Sequence, residues 1–145
     1  MGSKKNDEKK TPTYKRELKS LNLRTGKREP LIVLSFKHFD LNQGQSFEEW
    51  EKENLLALAV NRLRQVCELT VAQAGAGQVI KQYTKVGFPP NSAFKHPKHV
   101  MPDVTWSCMH IQGKECVIGF FEDNVFHIVF LDKNHEFWKT EKKNT

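Results

Sequence analysis

The chain is poor in cysteine and has no long apolar run. Its 145 residues include three cysteines, Cys67, Cys108 and Cys116, and none of them belongs to a C-x-x-C pair. Three cysteines cannot all pair with one another, and no signal-like apolar segment lies near the first residue. No stretch approaches the apolar length that crosses a bilayer. These absences argue against a disulfide-built scaffold and a membrane-spanning protein, and they favour a reducing, cytoplasmic setting.

Basic residues outnumber acidic residues at one end of the chain only. The first 30 residues hold ten Lys or Arg and four Asp or Glu, whereas the remainder holds thirteen of each, so the formal charge of +6 belongs to the N-terminal end. We expect residues 1–29 to form a flexible, disordered basic arm. The arm either keeps the protein soluble or binds nucleic acid, because clustered Lys and Arg side chains release counterions from phosphates.

The remaining length suits one domain, which we expect to span residues 30–140. Its first element is a strand over Leu31–Asp40, where a continuous apolar start and β-branched residues follow Pro30. We expect this strand to be central in the sheet. Alternation of side chains places Lys37 and His38 on opposite faces near its end, where each can reach a site at the sheet margin.

Two capping boxes predict two helices. The S-F-E-E segment at 46–49 begins the first helix, whose apolar stripe continues to Cys67. The T-V-A-Q segment at 70–73 begins the second, which extends toward Tyr83. Two glycines weaken this second helix, since each costs about 1 kcal/mol relative to alanine in a helix interior.

A proline-rich loop and three strands follow the helices. Residues 84–103 contain four prolines and therefore form a long loop, which in a compact domain is often functional. From Thr105 onward, three β-prone runs separated by turn signals at 112–114 and 122–124 predict an antiparallel meander. The order βααβββ predicts an α+β fold, with an antiparallel sheet packed against two N-terminal helices.

Strict alternation along the meander predicts which side chains share a face. It groups Phe126, Ile128 and Phe130 on one face and leaves His127 on the other, in an otherwise apolar row. We interpret His127, and likewise His110, as packed histidines rather than as catalysts.

The element order and several residues of the last third resemble the RelE/ParE superfamily of toxin–antitoxin toxins, and within it the RelE and YoeB type. The resemblance covers residues 31–138 in topology. At residue level it rests on a Trp-Ser strand start at 106–107, a turn at Gly113, and a terminal segment with His135 and Trp138. It implies a small cytoplasmic ribonuclease that cleaves messenger RNA at the ribosome, uses no metal or other cofactor, and is paired with an antitoxin protein.

The reaction that the resemblance implies is attack of a ribose 2′-hydroxyl on the adjacent phosphate, which needs a base, an acid and a cation. The resemblance places His135 in the acid or base role, and the ordinary imidazole pKa suits proton transfer near neutrality. Lys37 and Lys133 are candidates for stabilising the phosphate. Trp138 is a candidate for stacking on a base, as aromatic residues do in the recognition of single-stranded RNA.

Lys95, His96, Lys98 and His99 form the densest cluster of basic and imidazole groups. The cluster either contacts RNA phosphates or is a solvated part of the loop. We expect no zinc site, because the two loop histidines and three scattered cysteines lack the usual four-ligand spacing. No cysteine has an evident base beside it, which argues against thiol catalysis.

Two classes of function remain open. The first is a toxin-like endoribonuclease, and the second is a non-catalytic RNA- or protein-binding module of a mobile element or phage-like system. Resemblance of fold does not choose between them, since function resides in the site rather than in the scaffold.

Overall fold

A computed structural model describes residues 29–85 and 87–139, and its domain is built on one five-stranded sheet. The strands are β1 (Val33–Ser35), β2 (Lys81–Gln82), β3 (Trp106–His110), β4 (Cys116–Glu122) and β5 (Val125–Asp132). Their order across the sheet is β1-β5-β4-β3-β2. The helices between β1 and β2 are α1 (Phe47–Lys52), α2 (Leu56–Val66) and α3 (Val71–Ala76). The predicted α+β class is confirmed, while the predicted basic arm lies outside the described residues except for Glu29.

The first strand differs from the prediction in length, place and direction. The sequence predicts a central strand over Leu31–Asp40, whereas β1 has three residues and lies at the edge of the sheet. It pairs in parallel with β5, so that Val33 lies opposite Val125 and Ser35 opposite His127. The sheet is therefore mixed rather than antiparallel. Periodicity within one strand does not reveal which neighbour it pairs with, and this is why the prediction is wrong here.

Both predicted capping boxes are present. The Ser46 hydroxyl accepts from the Glu49 amide at 3.1 Å, and the Glu49 carboxylate accepts from the Ser46 amide at 3.2 Å. Thr70 and Gln73 repeat the arrangement at 3.1 and 2.9 Å. These bonds satisfy amides that a helix leaves without internal partners at its start.

The two predicted helices are three helices in the structure. The chain between α1 and α2 passes through Asn54, whose φ of 61° is left-handed and cannot continue a right-handed helix. The last helix ends at Gly77, well before Tyr83, and the chain then enters β2. The stripe of apolar residues continues across the break, and for that reason it predicts one helix where two are present.

The three C-terminal strands form the predicted antiparallel meander, with one irregularity. Ile118 pairs with Phe130, but the next residue, Gly119, pairs with Ile128, so β5 carries one extra residue between these pairs. Such a bulge inverts the alternation beyond it. Phe126 and Ile128 therefore pack toward the helices while Phe130 packs on the opposite face, and the prediction that all three share a face is wrong.

Each face of the sheet carries its own apolar core. The helix face joins residues of α1, α2 and α3 to the sheet, with Trp50 fully buried. The other face is covered by the long loop and the segment after β5, which bury Trp106 beneath Phe88 and Phe137. We call this the loop-covered face. Fully burying an aromatic or branched side chain contributes about 1.5–3 kcal/mol, so both layers stabilise the sheet. Across residues 29–85 and 87–139, no helix combines the length and apolar character of a membrane span.

Candidate active site

Three histidines meet on the loop-covered face, where β1 ends beside β5. His38 lies in the turn after β1, His127 lies on β5, and His99 belongs to the long loop. The ring centroids of His38 and His127 are 4.7 Å apart with their planes at 71°, and those of His38 and His99 are 6.3 Å apart and nearly parallel. Together with Glu122, which bonds to His127, we call these residues the histidine cluster.

Strand pairing determines where His127 lies. On one side β1 places Ser35 opposite it, and the turn that follows brings the His38 ring against the His127 ring. On the other side β4 places Phe120 opposite it, with the two ring centroids 5.0 Å apart. A Cβ atom at Gly119 would collide with the carbonyl oxygen of His127, so only glycine allows β4 to approach β5 so closely at this position.

His127 is buried and is tied to an exposed carboxylate. Its side chain is 6% exposed and that of Glu122 is 72% exposed, and His127 Nε2 donates to Glu122 Oε1 at 3.0 Å. This hydrogen bond and the adjacent imidazole lower the pKa of Glu122. The Nδ1 atom of His127 is buried and finds no hydrogen-bond partner among the described residues. A buried polar atom without a partner costs about 1–3 kcal/mol, and functional sites are one place where native proteins carry such a cost.

His38 has the proton affinity of a base that is neutral at physiological pH. Its pKa is lowered from the ordinary value of 6.5, first by partial burial and then by the positive charges of His127, Lys37 and His99. The Glu122 carboxylate acts in the opposite direction. Burial and neighbouring cations both disfavour imidazolium, so His38 holds a lone pair that can accept a proton.

A glutamine side chain holds the long loop against the segment that follows β1. Gln43 accepts from the Lys95 amide at 2.7 Å and donates to the Lys95 carbonyl at 2.8 Å. It also donates to Asp40 at 2.9 Å. Farther along the loop, His99 Nε2 donates to the His38 carbonyl at 2.8 Å, which leaves His99 Nδ1 outside this bond.

The structure separates the three residues that the sequence analysis assigns to catalysis. Lys37 is exposed beside the histidine cluster. His135 and Lys133 instead follow the far end of β5, where the His135 ring stacks on His110 with centroids 5.2 Å apart and the Lys133 ammonium pairs with Glu53. Because β5 begins at the cluster and ends before Lys133, Lys37 and His135 do not belong to one site.

Of the four loop residues predicted to bind RNA, only His99 joins the histidine cluster. Lys95 and Lys98 are exposed, whereas the His96 ring is half-buried, packs against Trp106 at 5.4 Å and donates to a loop carbonyl at 3.0 Å. His96 therefore holds the loop on the sheet, and the two lysines extend into solvent.

The predicted base-stacking residue, Trp138, lies at the edge of the loop-covered core. Its ring is half-buried and meets the Tyr83 ring edge-on at 4.9 Å. This contact is on the β2 side of the sheet, and β4 and β3 lie between β2 and the strand that carries His127.

Sequence reasoning missed Glu122 as a site residue and interpreted His127 as part of the core. The burial of His127 is confirmed, but its contacts with His38 and Glu122 also place it in the cluster. The sequence itself contains a signal for this pair of residues. Glu122 and His127 flank the tight turn at 123–124 and face the same side of adjacent strands.

A second group of reactive side chains lies at the other end of β3 and β4. His110 pairs with Cys116 across the hairpin, and Cys108 precedes His110 by two residues on the same face. The hydrogen bond between the two thiols lowers the pKa of Cys108 and raises that of Cys116, and burial raises the latter further. Within the described part of the chain, all three cysteines are free thiols.

No family model, curated protein or solved structure matches the chain. The fold and the site therefore define its class. The fold is α+β with a mixed sheet. The site is a cluster of three histidines and a glutamate, at the place where the parallel edge strand β1 meets the meander.

Proposed function

We propose that the chain is a toxin-type ribonuclease that cleaves RNA at the histidine cluster without a metal, acts in the cytoplasm, and has an antitoxin as its protein partner. The observation that carries this proposal is the contact of His38 with His127 and His99, beside Glu122 and Lys37. The resemblance to RelE-type toxins supports the same reaction class, but the residues proposed here differ from the His135 that it implies.

The cluster supplies each group that the reaction needs. The neutral His38 ring takes the proton of the ribose 2′-hydroxyl, and the 2′-oxygen attacks the adjacent phosphorus. The bond from phosphorus to the 5′-oxygen then breaks, and His99, in the role of the acid, gives a proton to that oxygen. The products are a 2′,3′-cyclic phosphate and a 5′-hydroxyl end, so atoms and charge balance without an added reactant.

The remaining residues orient the His38 ring and stabilise the charge of the phosphate. Glu122 accepts from His127 at 3.0 Å, and this bond fixes the buried ring against which His38 lies. The exposed Lys37 ammonium is near enough to lower the pKa values of His38 and Glu122. A cation beside the reacting groups also stabilises the charge that develops on a phosphate in the transition state.

A defined RNA substrate tests the chemistry directly. We expect the protein to cut a synthetic messenger RNA segment, free or bound to ribosomes, leaving a 2′,3′-cyclic phosphate, and a 2′-deoxy sugar at the cleaved position should block the cut. Loss of the acid–base residue in His38→Asn should slow cleavage by about 10²–10⁴-fold. Lys37→Ala should also slow it, whereas Lys52→Ala, which removes an exposed lysine on α1, is the matched control.

The same assay separates the competing interpretations. Cleavage that survives His38→Asn but disappears in His135→Asn would move the chemistry to the far end of β5. Binding of RNA without any cut product would instead favour the non-catalytic RNA-binding module. Growth arrest on expression without a partner, relieved by His38→Asn in a folded protein, would support the toxin role.

A further inference from the structure

The sulfur and nitrogen atoms of three side chains converge between β3 and β4. The possible ligand atoms of Cys108, His110 and Cys116 all lie within 4.8 Å of one another. The antiparallel register produces this group, because it sets His110 opposite Cys116 and leaves Cys108 on the same face. Two thiols and an imidazole are donors that Zn²⁺ and related divalent ions prefer.

We propose that Cys108, His110 and Cys116 bind one Zn²⁺ ion, with water as the fourth ligand. Zinc bonds of about 2.3 Å to sulfur and 2.0–2.1 Å to nitrogen, at the tetrahedral angle, separate the two ligand atoms by about 3.6 Å. The Cys116 Sγ atom lies 3.8 Å from His110 Nε2. This separation is close to one edge of a zinc tetrahedron.

The hydrogen bond of His110 identifies its ligand atom. Nδ1 lies 2.8 Å from the carbonyl oxygen of Gly113, and a carbonyl can only accept, so Nδ1 carries the proton. Nε2 then holds the lone pair that binds the metal. Histidines that bind metals commonly donate their other ring N–H to a backbone carbonyl in this way, which fixes the tautomer and the ring orientation.

Charge and burial are also suitable for a divalent ion. Cys108 and Cys116 are 4% and 2% exposed, and two thiolates with one Zn²⁺ sum to zero charge, so the buried site would hold no net charge. His110 is half-buried, so the third ligand lies nearer to solvent than the two thiols. The ion would link β3 to β4 close to the turn at 112–115.

Titration of the fully reduced, full-length protein with Co²⁺ tests the site. We expect one equivalent to bind, with a sulfur-to-cobalt charge-transfer band and the visible bands of tetrahedral coordination, and Zn²⁺ to displace it. Cys108→Ser and His110→Ala should each weaken binding by more than about tenfold. Cys67→Ser is the matched control, because this thiol lies on the helix side against the Leu63 carbonyl at 3.4 Å.

His110→Ala keeps the test decisive if a buried serine disturbs folding, since the His110 ring is partly exposed and each variant is checked by circular dichroism. Cobalt binding without the charge-transfer band would overturn the proposal, as would equal affinity in folded His110→Ala. A Cys108–Cys116 disulfide that persists in reductant would also overturn it. The titration contains no RNA, so its result is independent of the proposed ribonuclease activity.

Discussion

The proton affinity of His38 sets the pH range in which the histidine cluster can act through a base. Its pKa lies below 6.5 because the ring is partly buried and because the His127 and His99 rings and the Lys37 ammonium lie near it. A base works only in its neutral form, so the rate of RNA cleavage should rise with pH through this pKa. The rising limb of the rate profile therefore lies on the acidic side of 6.5.

Glu122→Gln should move the rising part of the pH profile of RNA cleavage to lower pH. The Glu122 charge raises the pKa of His38, so its removal lowers the pKa further, while the amide oxygen of glutamine still accepts from His127. The measurement is the pH dependence of single-turnover cleavage. Asp123→Asn is the control, since it removes a neighbouring exposed charge at a left-handed residue that asparagine tolerates. A limb that stays in place or moves to higher pH would remove His38 from the base role.

Single residues were predictable from the sequence where local rules act. Ser46 and Thr70 cap their helices as expected, because a capping box is confined to four residues. His38 and His127 are 89 residues apart, and their contact depends on which strand β1 pairs with, so no local pattern contains it. Cys108, His110 and Cys116 lack a familiar zinc spacing, yet the hairpin register brings them together.

At the scale of elements, the contact between β4 and β5 controls the geometry of the histidine cluster. Gly119→Ala would place a Cβ atom against the carbonyl of His127 and near the Phe126 ring, so the strands would have to separate. We expect this overpacking to destabilise the fold by about 1–3 kcal/mol and to weaken the Glu122–His127 bond. Urea denaturation measures the loss of stability, and the rate of RNA cleavage shows whether the weakened bond disturbs the site.

The chain offers a matched control for this substitution in α3. A Cβ atom at Gly75 meets nothing within 4 Å, so Gly75→Ala should stabilise the protein by about 0.5–1 kcal/mol through helix propensity alone. If Gly119→Ala left the urea midpoint and the cleavage rate unchanged, the close approach of β4 to His127 would have no role in forming the site.

The meander was predictable as a set of elements, since its turn residues and β-branched runs are local signals. The bulge was not, because it depends on how Gly119 and the extra residue of β5 fit together in space. A single extra residue is enough to turn Phe126 and Ile128 to the helix side while Phe130 faces the loop. The same shift puts Leu131 on the helix side, so it does not share a face with His127 as strict alternation predicts.

At the scale of the whole molecule, the distribution of charge predicts how RNA binding depends on salt. The formal charge of +6 belongs to the first 30 residues, whereas the histidine cluster adds few fixed cations. Deleting residues 1–28 should flatten the log–log dependence of RNA affinity on salt by about 0.7 for each phosphate of a single strand that the arm neutralises. Filter binding over a series of salt concentrations gives the slope, and an unchanged slope would assign the arm to solubility.

The parallel pairing of β1 with β5 also orders events during synthesis of the protein. The β4–β5 hairpin is local and can form as soon as both strands exist, but β1 has to wait for a partner that is made about ninety residues later. His38 therefore reaches His127 only after the ribosome has made β5. An activity that needs this contact has to be absent from the nascent chain until that strand exists.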